Sequence, residues 1–485
     1  MNTPQLPLEL LDRIVDIVDS WNYNDRLTTL QACALVSWPL LISCRRRLLR
    51  VTLFELGGEP SLQHNMFVDK SIPTFLDFLE GDPCLSYRRR TRGYPRLSSN
   101  IRKLHITIGP APIAQVTFTY LSTILSRLDH VEALYFQSTN NLSISESGLL
   151  SGLLDLFKTS SPLKLVSFNK GFRVPIQLLL SCPSLRQLWL HKMNDPATDI
   201  LQPFLQFSAG SIPRLQQLDI DLASLDILAS YLYHPRGTQM FSHLEELTTK
   251  DIDATRHTLG SLYKLLRIAS NTLHTLHFNF MLGYGDPNSN LQMTTSLPPS
   301  QKLDLSTLPN LKSIHVDIND HEPLSIACFT LFHSLISQAA YPTTVQHISF
   351  ILEAPIHPHE ETFQQLHSLL FDEAKEEWAE LDTLLCGSGS GSQSQTQTPA
   401  PCNYPSLETF HLEINIDMTP YSEDELPWEE SAVDVELQLK KSFAQSLPKC
   451  SSKGVLDIAV FLILEDLDDE SVDTNDWDAV DREEL

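Results

Sequence analysis

Nearly the same eight-residue phrase occurs four times in this chain: PSLRQLWL from Pro183, PRLQQLDI from Pro213, PNLKSIHV from Pro309 and PSLETFHL from Pro405. Proline ends a helix because it lacks an amide hydrogen and its ring clashes with the preceding turn, and the alternating apolar positions behind it fit a short strand with one buried face. Pro-x-Leu-x-x-Φ-x-Φ, with Φ apolar, therefore reads as one helix-to-strand unit of a solenoid. Looser copies begin at Ile101, Val131, Leu163, Leu244, Leu273, Val345 and Val455. The apolar triplet alone would arise by chance roughly a dozen times in such a chain, so the spacing carries the reading. Successive starts lie 30, 32, 22, 30, 29, 29, 38, 34, 62 and 48 residues apart, and the two longest intervals read as holding insertions. Helical spacing fills most intervals, as at Ile176, Leu179 and Leu180 before Pro183, or Leu262, Leu265, Leu266 and Ile268 before Asn271. Strand then helix, repeated, predicts an α/β chain with a curved parallel sheet and helices outside it.

Residues 4–55 break this rhythm. Leu6 to Leu11 opens a helix with Pro7 in its first turn, where a missing amide hydrogen costs nothing. Leu10, Ile14 and Ile17 form one apolar stripe, and Leu11, Val15 and Val18 form a second beside it. The combined arc is wider than a lone surface helix needs, which predicts burial on two sides: one within the domain, one against a partner. A second helix is expected over residues 27–36 and a third over 39–50.

Three phrases in this region, LPLELLDRI from Leu6, LQACALVSW from Leu30 and RRRLLRVTL from Arg45, resemble the F-box of the large fungal F-box and leucine-rich-repeat family. On that resemblance the chain divides into an F-box at 1–55, a connecting segment at 56–99, an irregular leucine-rich-repeat solenoid at 100–464 and an acidic tail at 465–485. The family's role implies the substrate-recognition subunit of a Skp–cullin–F-box ubiquitin ligase. The F-box would bind the Skp adaptor, and through it a cullin scaffold, while the repeats hold a protein substrate. Such a chain performs no covalent chemistry, needs no cofactor or metal, and works in the cytoplasm or nucleus. By motif match the adaptor-facing residues are Leu6, Pro7, Leu10, Ile14, Leu30, Leu35, Val36 and Trp38. Ser37 and Trp38 adjoin here, whereas the family separates them by a few residues. That departure favours the alternative, a non-catalytic binding scaffold whose F-box no longer recruits a ligase. The repeats depart too: the asparagine usual after the last apolar strand position stands only at Asn319 and Asn415.

Charge and cysteines narrow the partners. A net charge of −25 disfavours nonspecific contact with nucleic acid or anionic membrane, since a phosphate field repels the average surface. The cysteines at 33, 44, 84, 182, 328, 386, 402 and 450 are scattered without a C-x-x-C pair, as expected of reduced thiols outside any metal site. The first residues lack the basic flank and apolar core of a signal peptide, and no apolar run reaches membrane-spanning length. Residues 360–385 read as one long helix. The polar run GSGSGSQSQTQT from Gly387 reads as part of a flexible loop over 386–401, and residues 465–485, with eleven acidic residues and one arginine, read as a disordered tail.

No Walker loop, G-x-S-x-G, H-E-x-x-H, EF-hand loop or dinucleotide fingerprint occurs, so an enzyme acting on the open face of the repeats ranks behind both binding readings. Period-two alternation turns the residue between the last two apolar positions of each strand toward that open face. The resulting row is His105, Tyr135, Ser167, Trp189, Asp219, Thr248, His277, His315, Ser349, His411 and Ala459. Its candidate substrate contacts are Tyr135, Trp189, Asp219, His277, His315 and His411, with the large indole of Trp189 as the anchor. Nearby Asp221, Glu246, Asp317 and Glu413 outnumber Lys103 and Lys250, which favours a basic substrate segment. The basic run Arg88 to Arg92 with Arg96 reads as a solvated connecting loop, and His357 and His359 as a loop ahead of the helix begun by Glu360 and Glu361.

Overall fold

In a computed structural model the chain is described over residues 8–19, 23–36, 38–57, 66–68, 71–80, 97–139, 142–159, 162–174, 176–193, 212–250, 260–282, 304–320, 326–337, 339, 342–355, 366–387, 402–417 and 432–463. Leu6, Pro7, the Arg88–Arg92 run, His357 to Glu361, most of the polar loop (388–401) and the acidic tail lie outside the described residues. So do the side chains of Leu35, Val36 and Trp38, although their backbones are helical. The chain divides into two compact units, Met1–Lys250 with His257–Leu273, and Asp251–Arg256 with His274–Leu485. The boundary between the two units falls within the segment 100–464 expected to form the solenoid.

The first unit opens with three helices, α1 (Leu8–Asp19), α2 (Tyr23–Val36) and α3 (Trp38–Leu48). At 3.6 residues per turn, successive residues of α1 are about 100° apart, so its sequence sorts into three faces. Val15 and Val18 are buried with Leu30 of α2 and Cys44 of α3, and Cys33, Ala34, Leu40 and Leu48 pack around them. The acidic face is pinned by hydrogen bonds: Asp19 Oδ1 accepts from Arg26 Nε at 2.8 Å, Asp12 from Ser43 and Asp16 from Arg47. The third face, Leu10, Ile14 and Ile17, is exposed. Leu30, expected on the adaptor side, is instead fully buried at the centre of this small core. Helix α2 starts four residues earlier than expected and α3 ends two earlier.

Behind the helices, β1 (Val51–Leu56) already belongs to a sheet: it pairs in parallel with β2 (Met66–Val68) on one side and β3 (Lys103–Ile108) on the other. Helix α4 (Ile72–Glu80) follows β2, and its Phe75 meets Phe54 of β1 edge to face, ring centroids 5.3 Å apart. The sheet therefore begins inside the segment assigned to the helical domain, and 56–99 holds a strand and a helix of its own. The continuation is α5 (Gln115–Leu125), β4 (Ala133–Ser138), β5 (Leu142–Ser143), α6 (Ile144–Ser147), α7 (Leu149–Thr159), β6 (Leu165–Asn169), β7 (Phe172–Arg173), α8 (Ile176–Leu180), β8 (Gln187–His191), β9 (Gln217–Asp221), α9 (Leu222–Leu232), α10 (Pro235–Phe241), β10 (Glu246–Lys250) and α11 (Gly260–Ala269). Strands run in the order β10-β9-β8-β6-β4-β3-β1-β2, all parallel; β5 and β7 form a separate small pair.

The second unit carries β11 (Thr275–Leu282), β12 (Ser313–Asp320), α12 (Ile326–Ile336), β13 (His347–Pro355), a π-helical turn at Ser368–Glu373, α13 (Lys375–Cys386), β14 (Thr409–Asp417), α14 (Ala432–Ser446), α15 (Pro448–Lys453) and β15 (Leu456–Ile463). Its strands also pair in parallel and in chain order. The helix expected over 360–385 is broken by the π turn. The indole Nε1 of buried Trp378 donates to the Leu370 carbonyl within that turn at 2.8 Å. The core here is aromatic: Phe332 stacks on Phe350 at 4.2 Å, and Phe371 and Trp378 each meet Phe443 edge to face.

One backbone arrangement recurs at the mouth of the strands in both units. The carbonyl of Arg50 accepts from the amides of Arg102 and Lys103, that of Arg102 from Glu132 and Ala133, and that of Glu132 from Lys164 and Leu165. Lys164, Arg186 and Gln216 repeat it in the first unit, as do His274, Lys312 and Gln346 in the second. A single carbonyl thus serves two successive amides of the next strand, using both its lone pairs. Within strands the alternation is as the sequence dictates: Leu104, Ile106 and Ile108 of β3 are buried, while Lys103, His105 and Thr107 are half-buried on the opposite face.

Candidate functional site

That half-buried face is where the sequence placed its candidate contacts, and the parallel registers align them. In the first unit His105 stands beside Tyr135, Tyr135 beside Ser167, Ser167 beside Trp189, Trp189 beside Asp219 and Asp219 beside Thr248. In the second unit His277, His315, Ser349 and His411 share a row, which ends on Asp457. Ala459 had been expected there; it pairs with Glu413 instead. The slip is by two residues. Leu456, Ile458, Val460 and Leu462 alternate along β15, so a shift of two keeps every side chain on its face and the sequence pattern cannot exclude it.

Trp189 is half-buried and packs on Ala133, Tyr135 and Leu165, a small second apolar cluster on the side of the sheet away from the main core. Its ring meets Tyr135 at 5.9 Å and 62°, and Tyr135 in turn stacks on His105 at 4.3 Å. Tyr135 is itself buried. The expected anchor is therefore partly spent on the protein's own packing, with one side still open.

Next to it, Asp219 is clamped from two diagonals. His191 Nε2 donates to Oδ1 at 2.9 Å, and Lys250 Nζ lies 2.9 Å from Oδ2. Burial pushes this carboxyl's pKa up, but the bond and charge of His191 and the Lys250 ammonium outweigh it, and Asp219 is held below the usual carboxylate range. Asp221, expected among the acidic surface neighbours, is buried instead. It caps α9 by accepting from the Ser224 amide at 2.7 Å and also takes the Lys192 amide. Gln187, Gln217 and Glu246 form a side-chain hydrogen-bond ladder across β8, β9 and β10, Gln217 Nε2 donating to Glu246 Oε2 at 2.8 Å.

The second unit pairs each imidazole differently. His277 Nε2 donates to Asp317 Oδ2 at 2.6 Å. His315 lies beside it, ring centroids 5.8 Å apart; burial first, and then the neighbouring imidazoles, lower its pKa. His411 sits between two carboxylates, Nδ1 at 2.9 Å from Asp457 Oδ2 and Nε2 at 3.2 Å from Glu413 Oε2. Both ring nitrogens need a proton to donate to them. Partial burial opposes ionisation, but these bonds and the carboxylate charges win, and His411 titrates above its ordinary value. Asn415 Nδ2 steadies Glu413 Oε1 at 2.9 Å.

Sequence reasoning found the row but not the pairs. His191, Asp317, Glu413 and Asp457 stand two residues along from row positions or at the misregistered strand, so their pairing depends on the cross-strand register. It also missed one buried grouping in the second unit: ligand atoms of Asp382, Cys386 and Cys450 all lie within 4.8 Å of one another. Cys386 and Cys450 are 64 residues apart, a separation that carries no motif. Among the described residues no helix is long and apolar enough to cross a membrane. No protein-family model matches the chain, and no curated protein matches it.

Proposed function

We propose that this chain is the substrate-recognition subunit of a Skp–cullin–F-box ubiquitin ligase, with α1–α3 as the F-box and the strand-and-helix units behind them as a leucine-rich-repeat solenoid that holds a protein substrate. The observation that carries the reading is the division of α1 into a buried apolar stripe and an exposed one. Val15 and Val18 close the three-helix core, while Leu10 and Ile14 remain 47% and 43% exposed one face away. A helix that needed only its own domain would carry one apolar stripe. The second is the kind of surface that an adaptor's helices would cover, and its Leu10 and Ile14 belong to the phrase LPLELLDRI that resembles the F-box.

On the substrate side, the half-buried face offers a partly open indole at Trp189 and paired carboxylates at Asp219, Asp317 and Glu413, a combination suited to an extended segment with basic residues. The protein's contribution to the reaction is to concentrate substrate lysines near a ubiquitin-conjugating enzyme held by the same assembly, with no chemistry of its own. Co-purification of the full chain with the Skp adaptor tests the reading. Replacing Leu10 and Ile14 together with Asp places charge in the contact and is expected to abolish adaptor retention with the melting temperature within a few degrees of wild type. A wild-type chain that never retains adaptor overturns the ligase role in favour of the second reading, a scaffold with a retired F-box, which the adjoining Ser37 and Trp38 favour.

A further inference from the structure

We propose that Cys386 and Cys450 form an oxidisable dithiol site, which a hydroperoxide converts to a disulfide joining α13 to α15. Their sulfurs lie 3.3 Å apart in the interior of the second unit, roughly 1.3 Å more than the ~2.05 Å of a bonded pair. The flanking contacts fix that approach. Asp382, one turn before Cys386 and so on the same helix face, is buried and accepts from the Lys449 amide at 3.1 Å and the Cys450 amide at 2.9 Å. Lys449 Nζ donates to Thr383 Oγ1 and Lys453 Nζ to the Cys386 carbonyl, each at 2.6 Å. The two helices are therefore held together on both sides of the sulfur pair.

The same contacts argue against a bound cation, although two thiols and a carboxylate are metal-ligating groups. Asp382 already spends both oxygens on backbone amides, and two ammonium groups surround the pair. Those charges suit a thiolate. Of the two sulfurs Cys386 is the more acidic: its hydrogen bond with Cys450, and then Lys453 and Lys449, favour its anion against burial and Asp382. Cys450 is pushed the other way. Cys386 is also the less enclosed, 8% exposed against 0%. Cys386 is therefore assigned the attack on the peroxide.

The chemistry balances in two steps. Cys386 Sγ attacks one peroxide oxygen; the S–O bond forms as the O–O bond breaks, giving a sulfenic acid and, with hydrogen peroxide as oxidant, one water. Cys450 Sγ then attacks Cys386 Sγ; the S–S bond forms, the S–O bond breaks, and a second water leaves with the Cys450 proton. The two cysteines lose two electrons, and the peroxide gains them. The ring so closed encloses β14 and α14, so the unfolded chain loses loop entropy and the folded unit gains thermal stability.

The test uses the full chain treated with hydrogen peroxide, then with dithiothreitol. Peptide mass mapping without reductant is expected to show one linked pair, Cys386 with Cys450, two hydrogens lighter than the free peptides. The melting temperature is expected to rise by several degrees, and dithiothreitol to reverse both changes. Cys386→Ser and Cys450→Ser should each lose the linked peptide and the response. Should either variant fold poorly, the wild type alone decides: the link must form faster in buffer than in denaturant, where the sulfurs drift apart. Three results would overturn the proposal: oxidation of Cys386 to the sulfinic acid without a link, a link from Cys386 to Cys402, or one equivalent of zinc on the purified chain that either serine substitution releases.

Discussion

At the scale of single residues, the open face is less free than its sequence suggests, because its polar groups answer one another. Trp189 illustrates the consequence. Its ring covers Ala133, Tyr135 and Leu165, so Trp189→Ala is expected to cost about 1–3 kcal/mol, below the value for a fully buried tryptophan. Urea unfolding measures it; an unchanged midpoint would show that the indole contributes to partners alone. His411 gives a pH-dependent counterpart. Its folded pKa is raised, so the stability that its ionised ring contributes is fully present below the unfolded value of about 6.5 and fades as pH rises through the folded one. The advantage of wild type over His411→Gln should therefore be about 0.5–1 kcal/mol near pH 5.5, the range of a partly exposed ion pair, and smaller at pH 8.5. The lower figure is favoured because Asp457 is 67% exposed. Equal advantage at both pH values, measured by thermal unfolding, would refute the pairing.

At the scale of elements, the strands were legible and the helices only partly so. Each strand phrase places its apolar residues at fixed offsets from a leading apolar residue; Leu185, Leu215 and Leu311 are buried, while Leu407 and Val455 are only half-buried. A period-two pattern resolves which face is inside, but it leaves a slip of two unresolved, and β15 fell to that ambiguity. Helices α2 and α3 lack so clear a pattern, and a motif match that names Leu30 among the adaptor-facing residues does not say which of them serve the domain's own core instead. Close approaches were invisible as well. Gly152 of α7 sits against α5, where an added Cβ would lie 2.3 Å from the Ser122 carbonyl oxygen, and its amide donates to Ser122 Oγ at 3.0 Å. Alanine is the better helix former by about 1 kcal/mol. Gly152→Ala is nevertheless expected to destabilise the unit by about 1–3 kcal/mol, since a backbone oxygen must move; calorimetry showing a stabilised variant would mean that the two helices part easily.

At the scale of the whole molecule, the division into two units makes a prediction about fragments. The first unit is complete by Leu273, so a chain ending there is expected to give a single cooperative thermal transition with mixed helix and strand circular dichroism. A fragment that melts gradually would show that the unit depends on the rest of the chain. Within each unit, the paired amides at the mouths of β3, β4, β6, β8, β9, β10, β12, β13 and β14 point back to a carbonyl made earlier in the chain, whereas at β15 the Phe410 amide donates forward to the Val455 carbonyl. The backward direction has a meaning for biosynthesis. A ribosome adds about 5–20 residues per second, so a new strand emerges every few seconds, and its two leading amides find their acceptor already waiting on the nascent chain. None of the backward junctions depends on residues still to be translated, and up to β14 the sheet can lengthen in step with elongation, one strand at a time.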